Sequence, residues 1–327
     1  MFRDGTARAL TLSLGAGFES ALSNKALDLT GRGRSCARIG RRRPQSGVGS
    51  IKGGHQACGL RWSTVLHARP SAQCRSVGRQ GRSQDVTPER TFLSAEWRNL
   101  VMLNYEVEPS LLAGRIPAGC ELDAWRGRYF VSVVGFQFLR TRVLRLPIPF
   151  HRDFEEVNLR FYVRHKNEGE WRRGVVFVRE LVPKRAIVLV ANRVYGENYR
   201  ALPMRHVIAL SHEAGSSRIS YEWRQGEDWE GVSATFSGSP VLPTDEAEES
   251  FITEHYWGYA QQPGHSTTEY QVEHPRWHVW HADTASLECD VSSLYGAEFR
   301  DALSGAPSTA FIADGSSVVV RRGRELH

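Results

Sequence analysis

EEVNLRFYVRH, residues 155–165, alternates apolar and polar side chains with the period of a strand. Val157, Leu159, Phe161 and Val163 fall on one face; Glu156, Asn158, Arg160 and Tyr162 fall on the other. The second face is either an external polar surface or the wall of a site. Downstream, WRRGVVFVRELV (171–182) is apolar on both faces until Arg179 and Glu180, which marks a central strand. Pro183 turns the chain, and residues 184–195 read as a helix ending at Gly196, a good residue just past a helix terminus. Upstream, 97–107 reads as a first strand and SLLAGR after Pro109 as a short helix. Residues 120–125 and 128–139 form a hairpin about Arg126-Gly127. Further strands are expected at 204–210, 217–225, 229–237, 267–274, 276–281 and 316–321. Helices are expected from Thr244 to about Tyr256 and near 294–303. Many strands with few helices predict an α+β fold dominated by β. The expected form is a bent antiparallel sheet or β-barrel with peripheral helices and an internal cavity.

Charge divides the chain. Residues 1–90 hold 16 Lys and Arg against 5 Asp and Glu, and residues 91–327 hold 26 against 31, so the net +6 is +11 from the leader and −5 from the body. The basic balance therefore implies no nucleic-acid partner for the body. The leader lacks apolar periodicity and cannot offset ordering entropy, so it is expected to be disordered. Three readings stand for it: a transit-like segment, a basic nucleic-acid-binding tail, and a start assigned too far upstream, which we favour. The body, 91–327, is read as one domain. Cys120 and Cys289 are its only cysteines, without a CxxC, which fits a reduced cytoplasmic protein. No apolar run approaches the roughly 18 residues needed to span a membrane.

The helix after Pro183 opens on two cations, Lys184 and Arg185, although free N–H groups and the macrodipole make that end positive. A lysine forms a Schiff base only when its amine is neutral, far below its ordinary value of about 10.4. Burial, a neighbouring cation and a helix N-terminus all act in that direction. The alternative is a pair of solvated turn residues. His274, His278 and His281 have metal-like spacing. Pro275 and strand parity set them apart, so packed histidines are expected and no zinc. There is no GxSxG, GxGxxG or P-loop, hence no hydrolase elbow and no nucleotide cofactor.

Several segments together carry a resemblance: VEPSLLAGRIPAGCELDAWRGRYFVSVVGF, FEEVNLRFYVRH, GVVFVRELVPKRAIVLVANRVYGENY, ESFITEHYWGY and YQVEHPRW. Over about Trp97 to Val320 the chain resembles the YqjF-like family of uncharacterised proteins, domain of unknown function 2071. That family is grouped with the acetoacetate decarboxylase-like superfamily. The resemblance implies a carboxy-lyase-type site without metal or organic cofactor. It carries the family's active-site glutamate onto Glu156, the Arg-Glu pair onto Arg179 and Glu180, the nucleophile onto Lys184 and its pKa-lowering neighbour onto Arg185. Leu181-Val182 and Arg185 depart from the decarboxylase pattern of Gly-Phe and lysine. Acetoacetate decarboxylase is itself the standard example of a lysine activated by an adjacent cation. Arg160, with Asn158 and Glu180 beside it, is expected to bind a substrate carboxylate. It stands about 13 Å along the strand from Glu156, without neutralising it. The implied ligand is a small carbonyl or carboxylate compound, held for turnover or, in the alternative, only bound. Homo-oligomerisation is left open.

Overall fold

A computed structural model describes residues 90–194, 196–211 and 215–326. The leader, save Arg90, and every reading made of it lie outside the described residues. In chain order the strands are β1 (Thr91–Val107), β2 (Cys120–Leu122), β3 (Tyr129–Val143), β4 (Leu146–Pro147), β5 (Phe154–Asn167), β6 (Glu170–Val182), β7 (Tyr199–Ala201) and β8 (Met204–Ala209). They continue as β9 (Ser217–Gln225), β10 (Asp228–Phe236), β11 (Trp257–Gln261), β12 (Thr267–Glu273), β13 (Val279–Glu288), β14 (Thr309–Arg321) and β15 (Arg324–Leu326). Among the described residues four short α-helices intervene: α1 (Arg185–Val194), α2 (Glu248–Thr253), α3 (Val291–Leu294) and α4 (Arg300–Leu303).

One bent sheet holds all the strands. Its path runs β12, β11, β6, β5, β3, β1, β14, and β14 returns to β12 through Val272↔Val320 and Glu273↔Val319, closing these strands into a ring. Beyond β14 the path leaves the ring through β13, β10, β9 and β8. The sheet is mixed where a purely antiparallel one was expected: β6 pairs in parallel with both β11 and β7. A long connection, β7 to α2, separates β6 from β11 and lets the chain return in the same direction.

The alternation of β5 sorts its residues between two cores. Val157, Leu159, Phe161 and Val163 pack on the outer face with Val131 and Val133, under Tyr221, Trp223 and Val232 of the outlying strands. Tyr162 faces the ring interior with Met102, Phe136, Phe311, Phe251 and Trp277. Each such side chain taken fully out of water contributes about 1.5–3 kcal/mol. Gly135 allows the outer layer to close down. A Cβ there would stand 2.7 Å from the Tyr221 ring.

Several sequence expectations need local correction. Arg126 and Gly127 do form a tight turn, both at positive φ, with reciprocal Trp125–Arg128 backbone bonds. The stretch before it nevertheless pairs with β5 instead of β3. SLLAGR forms two 3₁₀ turns rather than an α-helix. The helix expected from Thr244 begins at Glu248, because the Thr244 carbonyl accepts from Ala247 N–H and Ser250 Oγ in a preceding turn. The 294–303 region is broken into α3, a 3₁₀ turn and α4. β11 was not anticipated, and β13 and β14 outrun their expected lengths. Among the described residues no helix is long and apolar enough to cross a membrane.

Candidate active site

The inner face of β5 and β6 holds a row of polar side chains in register. Asn158 lies opposite Glu180, and Glu180 lies opposite Tyr199 of β7. A bulge sets this row. Leu159 pairs with Arg179 but Arg160 with Phe177, so Val178 is the extra residue on β6. Val178 joins the outer core while Val175 and Val182 join the inner one, and Glu180 shares the inner face with them. Glu156, Asn158 and Glu180 are each 2% exposed. Asn158 Nδ2 donates to Glu156 Oε1 at 3.1 Å, and the Tyr199 hydroxyl donates to Glu156 Oε2 at 3.2 Å.

A third carboxyl comes from the turn after α1. Gly196, at φ +69°, reverses the chain there and would meet the Gln262 side chain if it carried a Cβ. Glu197 follows, and the Tyr270 hydroxyl of β12 donates to its Oε1 at 2.8 Å. Gly258 makes room for that phenol, since a Cβ on Gly258 would overlap the Tyr270 ring.

Packing three carboxyls into this interior disfavours their charged forms. Burial pushes Glu156 up to about 7, against the Asn158 and Tyr199 hydrogen bonds and the Arg160 charge, which pull it down. Burial pushes Glu197 up to about 8, opposed by the Tyr270 bond and reinforced by the charge of Glu156. Glu180 is raised well above the carboxylate range by burial, then by the charges of Glu197 and Glu156. Near neutral pH the group is a partly protonated set that can both accept and donate a proton.

The Arg160 charge pulls Glu156 down, the least of the causes acting on it, and no ion pair joins the two side chains. Arg160 Nη2 donates to the Ile252 carbonyl at 3.2 Å, and its Nε is buried without a partner. Asn158 Oδ1 and Glu180 Oε2 are likewise buried without partners. Unsatisfied groups of both donor and acceptor type on one interior face suit a polar guest.

Lys184 stands at the N-terminus of α1, where its carbonyl accepts from Ile187 and Val188 N–H. Lys184 is half-buried and Arg185 exposed. No hydrogen bond or ion pair joins either side chain to Glu156, Asn158 or Glu180. The structure thus brings Glu156, Asn158, Glu180 and Arg160 together and leaves Lys184 and Arg185 beyond the end of β6.

Sequence reasoning missed Glu197, Tyr199, Tyr270 and a second buried group. His255 Nε2 lies 3.2 Å from Asp123 Oδ2, which also accepts from Arg173 Nε at 2.6 Å. Burial, with the charges of Arg173 and Arg160, pushes His255 down to about 4 against Asp123. The neutral ring therefore donates through Nε2, and its buried Nδ1 has no partner. Tyr162 and Phe251 flank that ring at 4.7 and 5.1 Å. Arg173 also lines a cleft of about 240 Å³ with Asp245, Ser250, Glu254 and Arg276. The remaining histidines go separate ways. His274 stacks on Trp277 at 4.2 Å, His278 lies 3.9 Å from Asp314, and His281 lies 3.4 Å from Glu249. Among the described residues no group of three or more His, Cys, Asp or Glu is arranged to hold a metal.

Comparison with known proteins agrees with this architecture. The family model DUF2071, described as an uncharacterized conserved protein, matches residues 94–317. The uncharacterized protein YqjF of Bacillus subtilis (strain 168) is 25% identical over 205 residues, 62% of this chain and 79% of that one. Among solved structures, an acetoacetate decarboxylase-like enzyme from Sphingomonas wittichii RW1 superposes with a TM-score of 0.53 at 13% identity, covering 76% of this chain and 99% of its own. The enduracididine biosynthesis enzyme MppR complexed with pyruvate gives 0.52 at 16%, covering 75% and 93%. Acetoacetate decarboxylase from Legionella pneumophila subsp. pneumophila str. Philadelphia 1 gives 0.50 at 12%, covering 76% and 92%. At these identities the likeness establishes an acetoacetate decarboxylase-like fold.

Proposed function

The chain belongs to the DUF2071 family of uncharacterised conserved proteins, and on that premise we propose that it is an enzyme moving protons on a small keto acid or related carbonyl compound. The buried carboxyl and phenol group is its acid–base machinery, and Lys184 is the amine that takes the carbonyl as an imine. The observation that carries this reading is the inner-face row Glu156, Asn158, Glu180 and Tyr199, with raised carboxyl pKa values and unpartnered polar atoms beside it. MppR, similar in fold, is described in complex with pyruvate, and pyruvate is the first substrate class to try.

In the reaction so framed, Arg160 takes the substrate carboxylate. The Lys184 amine adds to the ketone, and water leaves as the imine forms. For a β-keto acid, the bond to the carboxylate then breaks; its electron pair enters the protonated imine to give an enamine, and carbon dioxide departs. A proton from the Glu156–Glu180–Glu197 set returns to carbon, and hydrolysis frees the product and the amine. Cys120 and Cys289, both unpaired, suit a cytoplasmic setting.

Borohydride trapping with pyruvate and acetoacetate, with peptide mass mapping, tests the imine. Hydrogen–deuterium exchange at the carbon beside the ketone tests the proton transfer. An adduct on Lys184, and exchange lost in Glu156→Gln, is the expected result. The lack of both adduct and exchange from folded protein would overturn it. The second reading would then stand: a binding module for the same ligands, favoured by the lack of a hydrogen bond or ion pair between Lys184 and the carboxyl row.

A further inference from the structure

The connection from β3 through β4 to β5 carries apolar side chains that the fold leaves outside. Phe150 is 90% exposed, and Leu144 and Leu146 are 49% and 47% exposed. Two turns present them. Val143 pairs with Leu146, so Leu144 and Arg145 are the central residues of a two-residue loop, both at positive φ (50° and 69°). Such loops ordinarily take Asn-Gly or Gly-Gly. Next, His151 N–H donates to the Ile148 carbonyl at 3.1 Å and closes a turn around Pro149 and Phe150, with Phe150 at φ +63°. Glycine is the ordinary residue there too. Both turns thus hold a bulky side chain at a backbone position that costs it steric energy, and neither side chain is taken into the core.

Charge around this tip narrows what can cover it. From 140 to 153 the chain has four arginines and one carboxylate, Asp153, in a body that is net negative. Arg140 Nη1 donates to Glu96 at 2.6 Å, and Asp153 Oδ1 accepts from the Arg140 N–H at 2.7 Å. The side chains of Arg142, Arg145 and Arg152 are exposed and have no hydrogen bond or ion pair with another described residue. Leu144 N–H donates to the Phe92 carbonyl at 2.7 Å, and Arg322 N–H donates to the Arg90 carbonyl at 3.0 Å, so two further exposed arginines, Arg90 and Arg322, stand at this end of β1. Arg321 beside them is taken by Glu273. Pro147 and Pro149 bring no N–H to be desolvated, and the N–H groups of Leu144 and His151 are already bonded. A stable protein interface needs about 800 Å² of fitting surface on each side. Phe150, at 90% exposure, stands clear of any rim that could share in one. A fluid lipid surface needs no rim. We infer that this hairpin docks on an anionic lipid bilayer, with Leu144, Leu146 and Phe150 entering the acyl boundary while Arg142, Arg145 and Arg152 meet the lipid phosphates. The contact is peripheral, requires no spanning segment, and does not depend on the carbonyl chemistry.

Co-sedimentation of the full chain with vesicles of phosphatidylcholine alone, or of phosphatidylcholine mixed with phosphatidylserine, tests this. Binding to the mixed vesicles is expected, and it should weaken in high salt and without phosphatidylserine. Phe150→Ser should weaken binding about tenfold, the scale of one large apolar side chain returned to water. Arg142→Gln combined with Arg145→Gln should weaken binding to the mixed vesicles by a similar factor and leave binding to phosphatidylcholine alone unchanged. All three side chains are exposed, so the Tm of each variant should match the wild type. The basic residues 1–90 are common to every variant, so any attraction they exert on the vesicles cancels in the comparison. No binding, binding unchanged by Phe150→Ser, or a lipid preference unchanged by the arginine pair overturns the assignment. Self-association that Phe150→Ser abolishes while vesicle binding persists likewise overturns it, and marks the tip as a contact between copies of the chain.

Discussion

Glu156→Gln should change how stability depends on pH, by an amount the structure allows to be worked out. The carboxyl is 2% exposed, and burial raises it from 4.5 to about 7. At about 1.36 kcal/mol per unit, that rise corresponds to about 3 kcal/mol. The folded state holds this proton up to near pH 7, whereas the unfolded chain releases it near 4.5. In between, the unfolded state binds fewer protons, and rising pH favours unfolding. The contribution is fully present below pH 4.5 and is lost as pH rises through 7. His255 acts oppositely over much of the same window, since burial lowers it from 6.5 to about 4, so the wild-type curve alone conceals the effect. Gln mimics the protonated carboxyl and does not titrate. Urea unfolding of both proteins from pH 4.5 to 8 reports Glu156 together with its coupling to Glu180 and Glu197, because the histidine contribution cancels in the difference. Relative to Glu156→Gln, the wild type should lose about 3 kcal/mol across this range. Parallel curves would show that Glu156 titrates as a solvated carboxyl, and the acid–base role would lose its foundation.

Other substitutions probe neighbouring features. Lys184→Ala should leave stability within about 0.5 kcal/mol by urea unfolding, because the side chain is half-buried and makes no pair with the carboxyl row; a large loss would assign Lys184 a structural role. Asp123→Asn should cost about 2 kcal/mol at pH 7, below the full cost of breaking a buried pair because the Arg173 side chain is 36% exposed and can rehydrate. Gly135→Ala should cost about 1–3 kcal/mol by forcing Tyr221 off β3, and an unchanged Tm would mean that the outer layer is loosely packed.

The inner face of the site was partly legible in the sequence. Strict alternation along 155–165 placed Glu156, Asn158 and Arg160 together, and the structure keeps them so. The position of Glu180 was not readable from β6 alone. A bulge at Val178 shifts parity, and a one-residue slip moves every side chain to the other face. Tyr270 and His255 reach the site from strands and turns far along the chain, and local periodicity carries no trace of such pairings. Glu197 and Tyr199 lay in the GENY stretch, whose glycine signalled a turn without showing where that turn would deliver its neighbours. For Lys184 the backbone setting was legible and the side-chain surroundings were not.

The ring closes through only two residue pairs of β12 and β14, assisted by Arg321, which grips Glu273 at 2.7 and 2.8 Å. Two pairs make a clasp rather than a weld. Amides of Glu273 and Val319 should exchange with deuterium sooner than those deep in β5, and faster in high salt as the Arg321–Glu273 grip is screened. An interior guest needs a way in, and the short β12–β14 seam, which β15 extends through three further pairs with β12, is where the ring has least to break.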